Sequence, residues 1–260
     1  MQEMLLQNEE MGTAVSIFDV IGGRNPDPIL YTNDIETFRN NTGANGLKYG
    51  TAYYPFVGTT IMQNTDIDYT NLFGGDIKQL EPIINPSDAP NQSVATILGN
   101  LSSLTVTQNN QALTNASKTY ALIIKHVLSD VNMMPPSGGM AGVITTTDNQ
   151  IGPWQAPANV SMVGAATLPI RLSESQQANL NVDAISGKSI NAIRFFNGLG
   201  ILIWGARTLD GNSLDWRYLS VRRTMTFLEQ SCKLAAHAYV FEPNDKNTWT
   251  GVIAMISSFL

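Results

Sequence analysis

The residues that could do chemistry in this sequence are few, and their spacing fits no reaction well. His126 and His237 are the only histidines, and neither accompanies a Gly-x-Ser-x-Gly nucleophile motif. Counting leaves Ser–His–acid catalysis open, but the pattern favours a helix-surface or packed His126, and a His237 at a helix end that suits the dipole. Asp66 and Asp68 are the one weak hint of a metal site. We therefore predict no catalytic residues and no metal.

Two glycine patterns resemble nucleotide-binding loops, but each lacks a feature that such a loop needs. Gly187-Lys188-Ser189 could end a phosphate loop, but position 182, where that loop needs glycine, is Val182. Gly138-Gly139 followed by Gly142 lacks the strand–turn–helix setting of dinucleotide binding, and we expect a tight turn there. We predict no cofactor.

The lone cysteine, Cys232, excludes an intramolecular disulfide and any multi-cysteine metal centre. It falls on the apolar side of a predicted helix, where a small core residue is the simplest interpretation.

Composition indicates a chain whose surface other subunits cover. The 260 residues are 43% hydrophobic, enough for a core, but only 14% charged, against about 25% in a typical soluble domain. Such a surface has little of the charge that keeps free proteins apart; the source's own composition is the alternative explanation. The net charge of -6 argues against nucleic acid as a partner. No apolar stretch approaches the length of a membrane span, and the polar, acidic residues 1–12 predict no secretory leader.

Helical and strand patterns alternate along the chain, which predicts an α/β fold with a mixed sheet. The expected strands lie near 14–23, 48–58, 103–110, 168–173, 190–196, 201–206 and 238–241. The expected helices lie near 1–11, 32–39, 91–131 (one or two), after 144, and at 173–181, 214–236 and 246–260, with loops over 59–90. Because a helix runs straight into a core strand from residue 1, we expect that the natural chain begins upstream.

The segment 203–223 concentrates arginine and aromatic side chains, which buried protein interfaces favour. A solvated basic helix start beside two core tryptophans is the alternative. Arginine tolerates burial when a carboxylate pairs with it bidentately, and the candidate acids are Asp210, Asp215, Glu229 and Glu242. The residues predicted to make structural or inter-subunit contacts are Trp204, Arg207, Asp215, Trp216, Arg217, Arg222, Arg223, Glu229 and Glu242.

The same segment resembles the sheath protein of contractile phage tails and related injection systems. Its WGART (204–208), DWRYLSVRR (215–223) and FEPND (241–245) follow the sheath pattern in order. Further agreement comes from FDV (18–20), YGTAYYPF (49–56), PPSGGMAGVITTTDNQIGPWQAPAN (135–159) and PIRLSESQQANLN (169–181). The resemblance covers about 12–58 and 133–260, and only the combination of motifs is specific.

The resemblance implies a division of the chain. Residues 1–58 and 133–208 would form the sheath core domain, described as subtilisin-like, and 209–260 a truncated C-terminal sheath domain. Residues 59–132 would be a lineage-specific insert. Family members are longer at both ends, so both terminal arms are expected to be missing.

The resemblance also implies a structural role without catalysis. Sheath subunits stack as hexameric rings around an inner tube, contact baseplate and tail-terminator proteins, and contract to drive the tube through a target envelope. Arms from neighbouring subunits add strands to the core sheet. The location would be a phage tail or injection-system particle assembled in the bacterial cytoplasm, without membrane insertion. An α/β hydrolase-like enzyme, or a baseplate or cap protein that shares the sheath core, are the alternatives.

Overall fold

Two compact units make up the residues that the computed structural model describes, which are 1–181, 183 and 185–259. The first, called here the core unit, comprises Met1–Phe56, Pro135–Val163 and the chain from Leu168 onward. The second, called the inserted unit, comprises Val57–Met134 and Gly164–Thr167. The domain limits expected from the sequence stay predictions, and the expected end of the last domain, Leu260, lies outside the described residues.

The strands, numbered along the chain, are β1 (Ser16–Asp19), β2 (Gly50–Tyr54), β3 (Val57–Thr59), β4 (Met133–Met134), β5 (Ala165–Thr167), β6 (Asn191–Phe196) and β7 (Gly200–Trp204). The helices are α1 (Gln2–Met11), α2 (Tyr31–Asn41), α3 (Ile77–Ile84), α4 (Gln92–Gly99), α5 (Val106–Ala116), α6 (Lys118–Val131), α7 (Pro136–Gln150), α8 (Glu174–Asn181), α9 (Leu219–Ala236) and α10 (Lys246–Phe259).

The core unit is built on a mixed sheet in the order β1-β2-β6-β7. β1, β2 and β6 are parallel, and β7 returns antiparallel to β6 through a short turn. β2 is buried along its whole length, as expected of a central parallel strand covered on both faces. The predicted α/β fold with a mixed sheet is confirmed, and its subtilisin-like detail stays a prediction.

Helices α1, α2 and α8 contribute apolar side chains to the core of this sheet. Leu5 of α1, Ile35 of α2 and Leu180 of α8 are almost completely buried in one cluster with residues of β1 and β2. The carboxylate of Asp27 precedes α2 and accepts the N–H groups of Ile29 and Leu30 at 2.7 and 3.0 Å. These hydrogen bonds lower the pKa of Asp27, that to Leu30 most, because they favour the charged form.

The inserted unit packs α3–α6 around its own core, which includes Leu80, Leu113 and Tyr120. Its sheet has the antiparallel order β4-β3-β5. The ends of β3 and β4 are adjacent, since the N–H of Thr59 donates to the carbonyl of Asn132 at 2.8 Å.

Several predicted elements are wrong, and local hydrogen bonds explain two of them. The strand expected near 103–110 is α5, because Thr105 and Gln108 form a capping box that starts a helix. The turn expected at Gly138-Gly139 lies inside α7, whose first turn Asp19 caps by accepting from the N–H of Ser137 at 2.8 Å. The loop range 59–90 contains α3, the strand expected at 168–173 lies at Ala165–Thr167 instead, and 238–241 forms a short 3-10 helix and turn.

Candidate functional site

The arginine-rich segment forms a closed loop that leads from β7 into α9. Its two sides are joined where Thr208 donates its N–H to the carbonyl of Arg217 at 2.9 Å and Leu219 donates to Ala206 at 3.0 Å. The hydroxyl of Thr208 also donates to the carbonyl of Trp216 at 2.6 Å. The closed loop thereby fixes Trp216 just before the first turn of α9, which carries Arg222 and Arg223.

We call Arg207, Arg217, Arg222 and Arg223, with the side chains that contact them, the arginine cluster. Arg222 is the most enclosed charged side chain of this cluster, with 2% of its surface exposed. Its Nη2 donates to both carboxylate oxygens of Glu229, which lies seven residues further along α9 on the same face, at 3.0 Å each. Its guanidinium also lies 4.5 Å from the ring centre of Trp216 and 4.9 Å from that of Tyr49. Two aromatic faces and a carboxylate thus take the place of water around the buried charge.

Arg223 points elsewhere and pairs with Asp148 of α7. Its Nη1 donates to Oδ1 of Asp148 at 2.5 Å, and its Nη2 donates to Oδ2 of the same carboxylate. Both side chains are mostly buried. Asp148 is absent from the acids expected from the sequence, because the two residues lie 75 positions apart and no local spacing connects them.

Arg207 is held through its backbone by Asn191, a fully buried residue of β6. The Arg207 N–H donates to the Asn191 side-chain oxygen at 2.8 Å, and its carbonyl accepts from Nδ2 of Asn191 and from Thr51, each at 2.9 Å. The Arg207 guanidinium donates to the carbonyl of Asn181 at 3.1 Å. Asn191 therefore connects β2, β6 and the loop, a role that its polar side chain in an apolar strand could have signalled.

The remaining predicted residues are distributed around this cluster. Trp204 packs on Phe196 with ring centres 4.5 Å apart, and Nε of Arg217 donates to the carbonyl of Ser213 at 3.1 Å. Asp215 and Glu242 are exposed. Within the described part of the chain, Glu229 is the predicted acid that pairs with an arginine of this segment.

The Gly-Lys-Ser triplet serves packing in this structure. Lys188 is buried, and its Nζ donates to the carbonyl of Arg39, whose own Nε donates back to the Lys188 carbonyl at 3.1 Å. Burial lowers the pKa of Lys188. The prediction that no phosphate loop forms here depended on Val182, which lies outside the described residues.

The histidines and the cysteine stand apart from the cluster. His126 is exposed on α6, His237 is exposed just after α9, and Cys232 is a half-buried free thiol. Within the described residues, no group of three or more His, Cys, Asp and Glu side chains could hold a metal. No helix among them is long and apolar enough to span a bilayer.

Two tyrosine hydroxyls differ sharply in their surroundings. The Tyr54 hydroxyl, on β2, is buried with no hydrogen-bond partner in the described part of the chain, whereas the Tyr120 hydroxyl donates to Asn110 at 2.5 Å. Burial raises the pKa of both, and it raises the pKa of Tyr53 to about 12.

An apolar groove of about 550 Å³ runs beside the segment that leads into β1. One wall is Thr13–Val15 and Ile17, and α7, α9 and Pro153 supply the rest, including the Asp148–Arg223 pair. β1 is the last strand of its sheet, while at the opposite edge Val160 accepts from the N–H of Ile203 in β7 at 3.0 Å. The β1 edge is therefore the more open one among the described residues.

Comparison with solved structures defines the class of fold. The chain is similar to a sheath complex of an extracellular contractile injection system, PVC, in the contracted state, with TM-score 0.57, 25% identity, and coverage of 94% of this chain and 46% of that one. It is also similar to a chain of the anti-feeding prophage baseplate in the contracted state, with TM-score 0.58, 20% identity, and coverage of 99% and 48%. The second likeness concerns the fold alone.

Sequence comparison supplies the family. The model of the phage tail sheath protein central domain matches residues 79–209, half of the chain. The tail sheath protein of Vibrio phage KVP40 is 28% identical over 165 residues, which are 58% of this chain and 24% of that protein. The chain therefore belongs to the phage tail sheath protein family, and it spans about a quarter of that curated relative.

The expected family is thus confirmed, but the matched range differs from the motifs that suggested it. Residues 79–132, set apart above as lineage-specific, fall inside the matched range, and 215–223 fall beyond it. Whether 59–132 is lineage-specific stays a prediction.

Proposed function

We propose that this chain is part of a sheath subunit that polymerises as stacked hexameric rings around an inner tube and contracts to drive the tube through a target envelope. The observation that carries the proposal is the family match over half of the chain. The sheath complex to which the fold is similar was itself captured in a contracted state. The low proportion of charged residues agrees with a surface that neighbouring subunits cover.

The arginine cluster has a structural role in this proposal, and the protein has no enzymatic one. Arg222 pairs with Glu229 and Arg223 pairs with Asp148, while the Arg207 guanidinium donates to a main-chain carbonyl oxygen. Arg223 thereby joins α9 to α7, and Arg222 packs the start of α9 against Tyr49, just before β2. They support a subunit that must transmit force without unfolding.

The open edge of β1 is the proposed place where a neighbour's arm adds a strand. Strand addition needs an unpaired edge for main-chain hydrogen bonds and pockets for alternate side chains. β1 offers the edge, and the apolar groove beside Thr13–Val15 offers the pocket. An unprotected edge would otherwise pair indiscriminately.

The proposed partners are further copies of the subunit, the inner tube protein, and baseplate and tail-terminator proteins. We place the protein in a phage tail or an injection-system particle that is assembled in the bacterial cytoplasm, with no nucleic acid bound and no insertion into a membrane. Residues 1–58 and 133–208 would form the sheath core domain, 59–132 an outer insert, and 209–260 the start of the C-terminal sheath domain.

Copy number tests this proposal against its nearest alternative, a baseplate or cap protein with the same core. Particles purified from the native host would be analysed by quantitative mass spectrometry against the tube protein. A sheath subunit should be as abundant as the tube protein, whereas a cap or baseplate protein would be present in a few copies. Absence from the particle would refute both.

A further inference from the structure

The turn between β6 and β7 presents an Asn–Gly step to solvent. Asn197 and Gly198 are exposed, and the turn closes where Leu199 donates its N–H to the carbonyl of Phe196 at 3.2 Å. A side chain added at Gly198 would meet nothing within 4 Å, and its φ of 80° is one that glycine adopts freely. The Asn197 amide and the Gly198 nitrogen are therefore adjacent, solvated and free of packing. We propose that Asn197 is a site of spontaneous deamidation.

The reaction needs water and no other reagent. The Gly198 backbone nitrogen attacks the Asn197 side-chain carbonyl carbon, the nitrogen gives up its proton, and the side-chain amide leaves as ammonia. The cyclic imide that results then takes up one water at either carbonyl. One opening gives aspartate and the other gives isoaspartate, so the net change is amide plus water to carboxylate plus ammonium. Glycine favours the attack because it places no side chain beside the nucleophilic nitrogen.

The second Asn–Gly step of the chain serves as an internal control. Asn45 is exposed as well, but Gly46 is buried, and a side chain there would lie 2.7 Å from the carbonyl oxygen of Leu5. The carbonyl of Gly46 also accepts the N–H of Tyr49 at 2.9 Å. A short 3-10 helix, Leu47–Tyr49, follows Gly46 directly. Because α1 and this 3-10 helix hold the peptide unit in place, the Gly46 nitrogen must be released by local opening before it can react.

The modification would change the hairpin in two ways. A carboxylate adds one negative charge at the tip, next to the pair formed by Arg194 over the ring of Phe196. Isoaspartate in addition lengthens the main chain within the turn, which should loosen the first cross-strand pair, Phe196 with Gly200. Neither effect depends on the proposed sheath function.

The test is a time course of the native full-length protein at mildly alkaline pH, followed by trypsin and mass spectrometry. Cleavage after Arg194 and Arg207 gives a peptide in which Asn197 is the one asparagine, and cleavage after Arg39 and Lys48 gives the peptide with Asn45. The Asn197 peptide should gain the mass of amide-to-acid conversion and separate into two isomers. Conversion of Asn45 should be slower by about tenfold or more, the factor for an opening cost of about 1.4 kcal/mol.

Two controls separate the structural argument from the sequence motif. In urea, where no fold protects either site, the two asparagines should convert at similar rates. Asn197→Gln should abolish the mass gain in its peptide, because the longer side chain disfavours ring closure. Equal rates at both sites in the folded protein, or an Asn197 that stays intact while the unfolded chain converts, would overturn the proposal.

Discussion

Replacing Arg222 by alanine should destabilise the core unit by about 3–5 kcal/mol. The side chain is 2% exposed and lies between two aromatic rings. A desolvated cation–π contact contributes up to about 2 kcal/mol, and there are two of them here. The Glu229 side chain is 45% exposed and regains water when its partner is lost, so the ion pair adds about 1 kcal/mol or less.

Urea unfolding followed by tryptophan fluorescence measures this loss directly. All four tryptophans belong to the core unit, and Trp216 contacts Arg222 itself. Arg217→Ala is the matched control, because that half-buried side chain makes a hydrogen bond to Ser213 on the same loop and should cost about 1 kcal/mol or less. Glu229→Gln keeps an oxygen acceptor and should also cost less than Arg222→Ala.

The full-length Arg222→Ala protein is further expected to fail in assembly, because its subunits do not keep a stable α9. A free energy of unfolding within about 1 kcal/mol of the native value would refute the packing argument, since such a change is typical of surface positions. A variant that is destabilised as expected and still forms a contractile sheath would refute the link to assembly.

Tyr54→Phe removes an unpartnered hydroxyl and should leave the thermal stability unchanged or raised. Tyr120→Phe removes a hydrogen bond and should lower the free energy of unfolding by about 1 kcal/mol, as measured by thermal unfolding followed by circular dichroism. The reverse order would contradict this. The Asp27 carboxylate has a lowered pKa, so its contribution to the stability of the fold is present above the ordinary pKa of aspartate and is lost as pH falls through the folded-state pKa. The free energy of unfolding should therefore fall less steeply with acid in Asp27→Asn. Identical slopes for the two proteins would refute the capping role. Residues 61–131 can be replaced by a short Gly/Ser link, because the ends of β3 and β4 are adjacent. This replacement should leave the core unit's unfolding midpoint unchanged and still allow sheath tubes in the full-length protein. Loss of tubes from a folded variant would make this segment an essential lattice contact.

Local patterns predicted the core sheet and its flanking helices well. β1, β2, β6 and β7 carry apolar runs between glycine turns. Ser173 caps α8 at the expected start of that helix, with its hydroxyl accepting the N–H of Gln176 at 3.3 Å. Such features are set by residues within a few positions of one another.

Contacts between distant segments were beyond the same reasoning. Asp148 and Asn191 enter the arginine cluster only because α7 and β6 pack beside α9 and its loop, and no spacing in the sequence joins them. Glycines at 138 and 139 suggested a turn, but Asp19 on β1 caps the helix that contains them. A tertiary hydrogen bond there overrides a weak local propensity.

Negative-stain microscopy of the full-length native protein, expressed alone, tests most directly whether it is a sheath subunit. If the protein is a sheath subunit that carries its own lattice contacts, hollow tubes or stacked rings are expected in the absence of any other particle component. The same preparation with Arg222→Ala should show neither. A monodisperse monomer that forms no rings or tubes under any assembly condition and hydrolyses a test ester would show that the protein is not a sheath subunit.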